Sequence, residues 1–491
     1  MKEKLEQANQ FIEENKGTIN DIYRQCYHLM APVGWMNDPN GFVYYKGEYH
    51  LFYQYYPYDS VWGPMHWGHA KSKDLIHWQE LPVALAPSEE YDLDGCFSGS
   101  AIEKDGKLFL MYTGHYEREG IKREVQCIAV SDDGIHFEKF SGNPVISDQH
   151  IKGIAPIEDF RDPKIEKRNG IYYSVIASKT TDQRGQILLF QSEDLFLWKF
   201  TSVLLIGKRD QGIMWECPDL FHLDGKDVLL ISPIEMKKKD NLYENINSTV
   251  AFIGEVDWLT GRFIVENHHE IDFGLDFYAP QTCVDDQGRR IMIAWMQMWG
   301  RNMPTNDLGH FWAGAMTLPR ELHVVNKKLI QQPINTIYEL IMDKKTIIKE
   351  KLEDSSVELD DNDAKQFYIE FSGILRQTKT LTIKVLRTKE SSVELIYDPN
   401  TDYLSISRDS FGLTITGNET EQLTKRTASV PLLNDRLVLE IFRDTSSIEV
   451  FANEIAVMSM NFYETEQSEP PIVSVMGKVE QLRLNYGTIK I

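Results

Sequence analysis

One pattern recurs five times along this chain at intervals of about 60 residues, and few folds accommodate it. Each copy opens on a polar or acidic residue or on a residue before proline, turns near a glycine, and enters a β-rich apolar run. The first copy leads in at Asp38-Pro39 and runs over 48–53. The second starts at Ser98, turns at Asp105-Gly106 and runs over 108–112. The third starts at Asp162-Pro163, turns at Asn169-Gly170 and runs over 171–176. The fourth starts at Glu216-Cys217-Pro218, turns at Asp224-Gly225 and runs over 228–231, and the fifth starts at Ala279-Pro280, turns near Gly288 and runs over 291–295. Asn-Gly and Asp-Gly between β-rich runs are strong hairpin signals. A β-rich array of this period predicts a five-bladed propeller.

A second feature keeps step with the first. Ser72-Lys73-Asp74, Ser131-Asp132-Asp133 and Ser192-Glu193-Asp194 each precede an aromatic by the same interval (Trp78, Phe137, Trp198). Each trails its apolar run as an outer hairpin turn of a blade does. Residues 1–22 read as a short amphipathic helix with Leu5, Ala8, Phe11 and Ile12 on one face, packing across the propeller. The propeller is expected over 23–335. Residues 336–350 read as a connecting segment with some helical character. Period-two stretches over 351–491, such as 381–385 and 447–451, predict an antiparallel β-sandwich. The expected class is therefore all-β.

Composition excludes several partners. A formal charge of -22 argues against nucleic acid and against an anionic membrane surface. Five scattered cysteines without a C-x-x-C pair suit neither a disulfide framework nor a zinc site. The N-terminus has no signal-like apolar core and no run is long enough to span a membrane, so a soluble, cytoplasmic protein is expected.

The inner strands of a propeller converge on its axis, so equivalent positions of different blades face one another. The alignment of repeats brings Asp38, Asp162 and Glu216 to one end of that axis. Blade packing requires no acid there, since the fifth copy carries Ala279. Converging carboxylates are desolvated and repel, which spreads their proton affinities and lets one act as acid while another stays ionised. A structural calcium site and a sugar-binding propeller without catalysis are competing readings; no Asp-rich loop accompanies the acids, and three acids rather than amides favour an enzyme.

These residues also resemble a family. Residues 35–41, Trp-Met-Asn-Asp-Pro-Asn-Gly, are similar over all seven positions to the nucleophile motif of glycoside hydrolase family 32, the β-fructofuranosidases. Arg161-Asp162-Pro163 and Glu216-Cys217-Pro218 resemble its second and third motifs, and 62–69, 97–100 and 312–322 resemble further ones. Residues 451–454 match the family's sandwich motif only loosely, and 296–299 depart from its commoner glycine-containing form.

The resemblance implies a propeller followed by a sandwich and a retaining double displacement on sucrose or sucrose 6-phosphate, with no metal or cofactor. It makes Asp38 the nucleophile, Glu216 the acid/base, and Asp162 the stabiliser of the transition state, kept ionised by Arg161. It puts Trp35, Met36, Asn37, Gln54, Trp62, Phe97, Ser98, Arg161, Tyr278 and Trp295 around the fructosyl unit. Exo-fructanases and fructosyltransferases share all three acids, and a non-catalytic fructoside-binding propeller is the alternative of another class. Arg301 and His310 are the candidates to contact a 6-phosphate. His66 and His69 read as a buried pair in the pocket wall rather than metal ligands. Lys237-Lys238-Lys239 reads as a solvated loop, and Cys217 as a packed thiol able to tune Glu216. Oligomeric state stays open.

Overall fold

The hairpin signals set the blades. At Lys46-Gly47, Asp105-Gly106, Asn169-Gly170 and Asp224-Gly225 both central residues take positive φ, from 49° to 84°. That backbone matches the right-handed twist of the flanking strands; Asn, Asp and Gly tolerate it, and Lys46 adopts it at some cost. In a computed structural model describing residues 1–360, 365–418 and 423–491, these turns join the first and second strands of four blades.

Blade one is built from Gly34–Tyr45, Glu48–Tyr56, His66–Ser72 and Trp78–Leu85, with Trp312–Ala313 added in parallel on its inner edge. Blade two comprises Gly95–Lys104, Lys107–Arg118, Ile121–Ser131 and Glu138–Lys139. Blade three comprises Phe160–Arg168, Ile171–Lys179, Gly185–Ser192 and Lys199–Ile206. Blade four comprises Met214–Leu223, Lys226–Ile234, Val250–Asp257 and Arg262–Glu270. Blade five comprises Tyr278–Val284, Arg290–Trp295, Arg320–Val325 and Lys328–Pro333. The five first strands pack side by side in a ring, the last against the first.

The repeated Ser-x-Asp frame forms the outer turns. Asp74, Asp133 and Asp194 each accept hydrogen bonds from the amides two and three residues on, and the preceding serines accept from the third. These caps stabilise the left-handed backbone at Leu75, Gly134 and Leu195.

The N-terminal helix is shorter than its pattern, Lys2–Asn15. It buries Ala8 and Ile12 against the outer strand of blade one, where Asn9 Oδ1 accepts from the Val83 amide at 2.9 Å.

Among the described residues, the second unit is one hydrogen-bonded sheet of nine strands that folds over on itself. Phe367–Arg387 pairs along its length with Ile472–Ile489; on its other edge, 367–374 pair with Arg436–Asp444 and 381–387 with Ser392–Asp398. The strand therefore leaves one layer and enters the other, and both halves fill a single core containing Phe371, Leu395, Ile441 and Met458. The sandwich begins earlier than the sequence pattern suggests. Only Thr336–Glu339 is helical, and Ile341–Glu358 is already a strand paired with Ile472–Ile489. Among the described residues no helix is long and apolar enough to cross a membrane.

Candidate active site

Every inner strand is interrupted at the same place. Its register against the second strand slips at residues 37–38, 98, 162–163, 217–218 and 279–280. Bulges of this kind bend a strand and re-aim a side chain. Asp162, Cys217 and Ala279 take φ of 64°, 48° and 52° there, conformations that cost an L-residue energy and occur where a site needs them. Gly99 is required in the second bulge, since a Cβ would lie 2.0 Å from the Met111 carbonyl oxygen.

The bulges bring the three acids together around Cys217. Its amide donates to Asp162 Oδ2 at 2.9 Å, and its sulfur lies 3.4 Å from Asp38 Oδ2 and 3.6 Å from Asp162 Oδ2. The thiol thus serves Asp38 and Asp162 rather than Glu216, the partner expected from its place in the sequence. Burial, with the surrounding acids, keeps it a thiol. Asp38 also accepts from Asn37 Nδ2 at 3.0 Å and Ser98 Oγ at 2.8 Å.

Glu216 is held from the other side. Arg161 donates to Oε1 through Nε at 3.1 Å and Nη2 at 2.9 Å, and the Tyr278 hydroxyl donates to Oε2 at 2.6 Å. Arg161 therefore pairs with Glu216 rather than standing as the dedicated partner of Asp162. Burial pushes Asp162 up to about 8 against the attraction of Arg161, with Glu216 and Asp38 adding to the rise. Burial and the Glu216 charge raise Asp38 too, opposed by hydrogen bonds from Asn37, Ser98 and Cys217. Burial and mutual repulsion thus favour the protonated forms of Asp38 and Asp162, and Arg161 opposes this at Asp162.

The acids face a pocket of about 440 Å³, a suitable size for a small sugar. Asn37, Gln54, Trp62, Phe97, Ser98 and Arg161 line it. Trp35, Met36, Tyr278 and Trp295 do not. Trp35 Nε1 holds Asn37 Oδ1 at 2.8 Å, Met36 is fully buried, and Trp295 packs behind Trp35 and Trp299. Trp67 and Trp215 are likewise buried behind the site, and Trp299 lines it.

The sequence reading missed His115, Lys122, Glu124, Glu158 and Asp159. They arise from the long second hairpin of blade two and the turn before blade three, outside the repeated lead-ins. The recurrence of acids near 158–162 was the one available signal.

The two phosphate candidates lie elsewhere. Arg301 is buried, donating to the Leu275 carbonyl and to Asp276 and Asn245, and His310 stacks on Tyr23 at 5.6 Å. Lys238 pairs with Glu244 away from the pocket. His66 and His69 are buried but do not pair in the pocket wall: His69 bonds His50 at 3.0 Å, His66 bonds the Pro64 carbonyl at 3.0 Å, and neither lines the pocket.

Comparison with known proteins agrees with this architecture. Glycosyl hydrolases family 32 N-terminal domain matches residues 28–333, and Glycosyl hydrolases family 32 C terminal matches 337–485. A sucrose-6-phosphate hydrolase of Escherichia coli is 39% identical over 478 residues, covering 95% of this chain and 94% of that protein. One of Bacillus subtilis is 35% identical, covering 98% and 97%. A Bombyx mori family 32 β-fructofuranosidase, solved in complex with sucrose, superposes with a TM-score of 0.84 at 35% identity, covering 99% of this chain and 98% of that one.

Proposed function

The chain belongs to glycosyl hydrolase family 32 and is a β-fructofuranosidase, and from that premise we propose that it releases fructose from sucrose or sucrose 6-phosphate by double displacement. The observation that carries this reading is the convergence of Asp38, Asp162 and Glu216 around Cys217, facing one pocket. Double displacement needs one carboxylate ionised to attack and another protonated to release the leaving group.

Asp38, steadied by Asn37 and Ser98, attacks the anomeric carbon of the fructosyl unit. Glu216 gives a proton to the bridging oxygen and then takes one from water. Asp162 holds fructosyl hydroxyls and stabilises positive charge in the transition state. Trp62, half-exposed beside Phe97, offers a face for stacking the leaving hexose. The stereochemistry is tested with methanol as acceptor. Methyl β-D-fructofuranoside is expected, and the α anomer would refute a covalent intermediate.

Recognition of a 6-phosphate falls to Lys122. It is exposed in the pocket wall, whereas Arg161 is already shared among carboxylates. The names of the bacterial relatives support this substrate. Five free cysteines support a reducing, cytoplasmic setting.

A further inference from the structure

Arg161 does not give its charge to Glu216 alone. While Nε and Nη2 bond Glu216, Nη1 donates to Glu124 Oε2 at 3.0 Å and to Asp159 Oδ1 at 3.2 Å. Asp159 is itself divided, because its other oxygen pairs with Lys179 at 2.7 Å. Glu124 is 3% exposed, and the same oxygen that meets Arg161 accepts from the Phe160 amide at 2.9 Å. Its second oxygen lies 3.5 Å from His115 Nδ1, on a ring stacked over Phe97 at 4.1 Å.

We propose that Glu124 is a positioning residue that sets the alkaline limit of hydrolysis by drawing off part of the Arg161 charge, so that Glu216 can carry the proton it must deliver. The proposal rests on the double-displacement reading above. An arginine bonded twice to an acid catalyst favours its ionised form, which cannot donate. A second, buried carboxylate on the far side of the same guanidinium weakens that pull. Its own negative charge acts in the same direction.

Both effects therefore have one sign. Removing the Glu124 charge unmasks Arg161 and also deletes a nearby negative charge, and each favours loss of the catalytic proton at lower pH. The remaining groups facing Glu216 come from other blades: Asp38 from blade one, Asp162 from blade three and the Tyr278 hydroxyl from blade five. Cys217 faces it from its own strand. All of these stay in place in a Glu124→Gln variant. The amide keeps an oxygen to accept from the Phe160 amide and from Arg161, so the contact of this strand with blade three is retained.

The test is the pH dependence of kcat/KM for wild type, Glu124→Gln and Glu124→Asp. Two substrates are compared: sucrose, and an aryl β-fructofuranoside whose leaving group departs without a proton. In Glu124→Gln the alkaline limb for sucrose is expected to move down by about half a pH unit to one unit. Glu124→Asp restores it, and the aryl substrate keeps its wild-type alkaline profile. A sucrose limb that stays put, or equal losses on both substrates at every pH, would overturn the proposal and leave Glu124 a merely structural group. Should thermal denaturation show Glu124→Gln unfolded, Asp159→Asn removes the other carboxylate charge bonded to the same Nη1 and must shift the limb the same way; an unmoved limb in that folded variant overturns it equally. Failure of double displacement itself reads out separately, as the α anomer in methanol.

Discussion

Ser98 Oγ and Asn37 Nδ2 each hold one oxygen of Asp38, and both favour its ionised form against burial. Ser98→Ala removes one donor, so Asp38 takes up a proton at higher pH. Its attack is then lost earlier on acidification. The acid limb of kcat/KM should move to higher pH, with a loss of about tenfold near pH 5. At the pocket wall, Lys122→Met should lower the kcat/KM ratio of sucrose 6-phosphate over sucrose by about tenfold, the worth of one charge-assisted contact. An unchanged ratio removes Lys122 from that role. The acids were legible because they share one phase of a repeat, and a repeat fixes which positions face the axis. Glu124 and Lys122 were not, because the hairpin carrying them extends beyond the repeat and sequence does not say which way such an extension leans. Arg301 failed as a phosphate ligand for a related reason. Its nearness to the fifth blade's strand gave no direction, and the side chain turns inward to Asp276.

The strands and turns carry a second group of consequences. Arg320, on the third strand of blade five, is fully buried and donates to Asp272 and Gln331 in the propeller and to Glu449 and Ser459 in the sandwich. Arg320→Met strands two buried carboxylates and should cost about 3–5 kcal/mol, read by chemical denaturation. A cost below about 1 kcal/mol would show that the pair merely offsets its own desolvation. The blades were readable because Asp-Gly and Asn-Gly specify turn geometry locally. The start of the sandwich was misread for the opposite reason. Ile337, Leu340 and Ile341 suit a helix locally, but from Ile341 the chain gains a long partner strand from 472–489, a pairing invisible in a short window.

At the scale of the whole molecule, ion pairs join propeller to sandwich. His28 lies between Asp444 at 2.8 Å and Glu449 at 3.0 Å, and Arg408 pairs with Asp276. Burial alone would make His28 harder to protonate, but hydrogen bonds and charge from the two acids outweigh it and raise it from 6.5 to about 9. A group raised on folding contributes fully below its unfolded value and loses that contribution as pH climbs through the folded one. About 3 kcal/mol should therefore disappear between pH 6.5 and 9. Tm should fall across that range, and less steeply in His28→Gln. Because the two units share these buried charges, calorimetry should show one transition rather than two. The role of the Asp38 carboxylate is tested most directly by glucose release from sucrose by wild type and by folded Asp38→Ala. Turnover by wild type and a loss of at least about 10⁴-fold in the variant are expected. Glucose release by Asp38→Ala within about tenfold of wild type would contradict it.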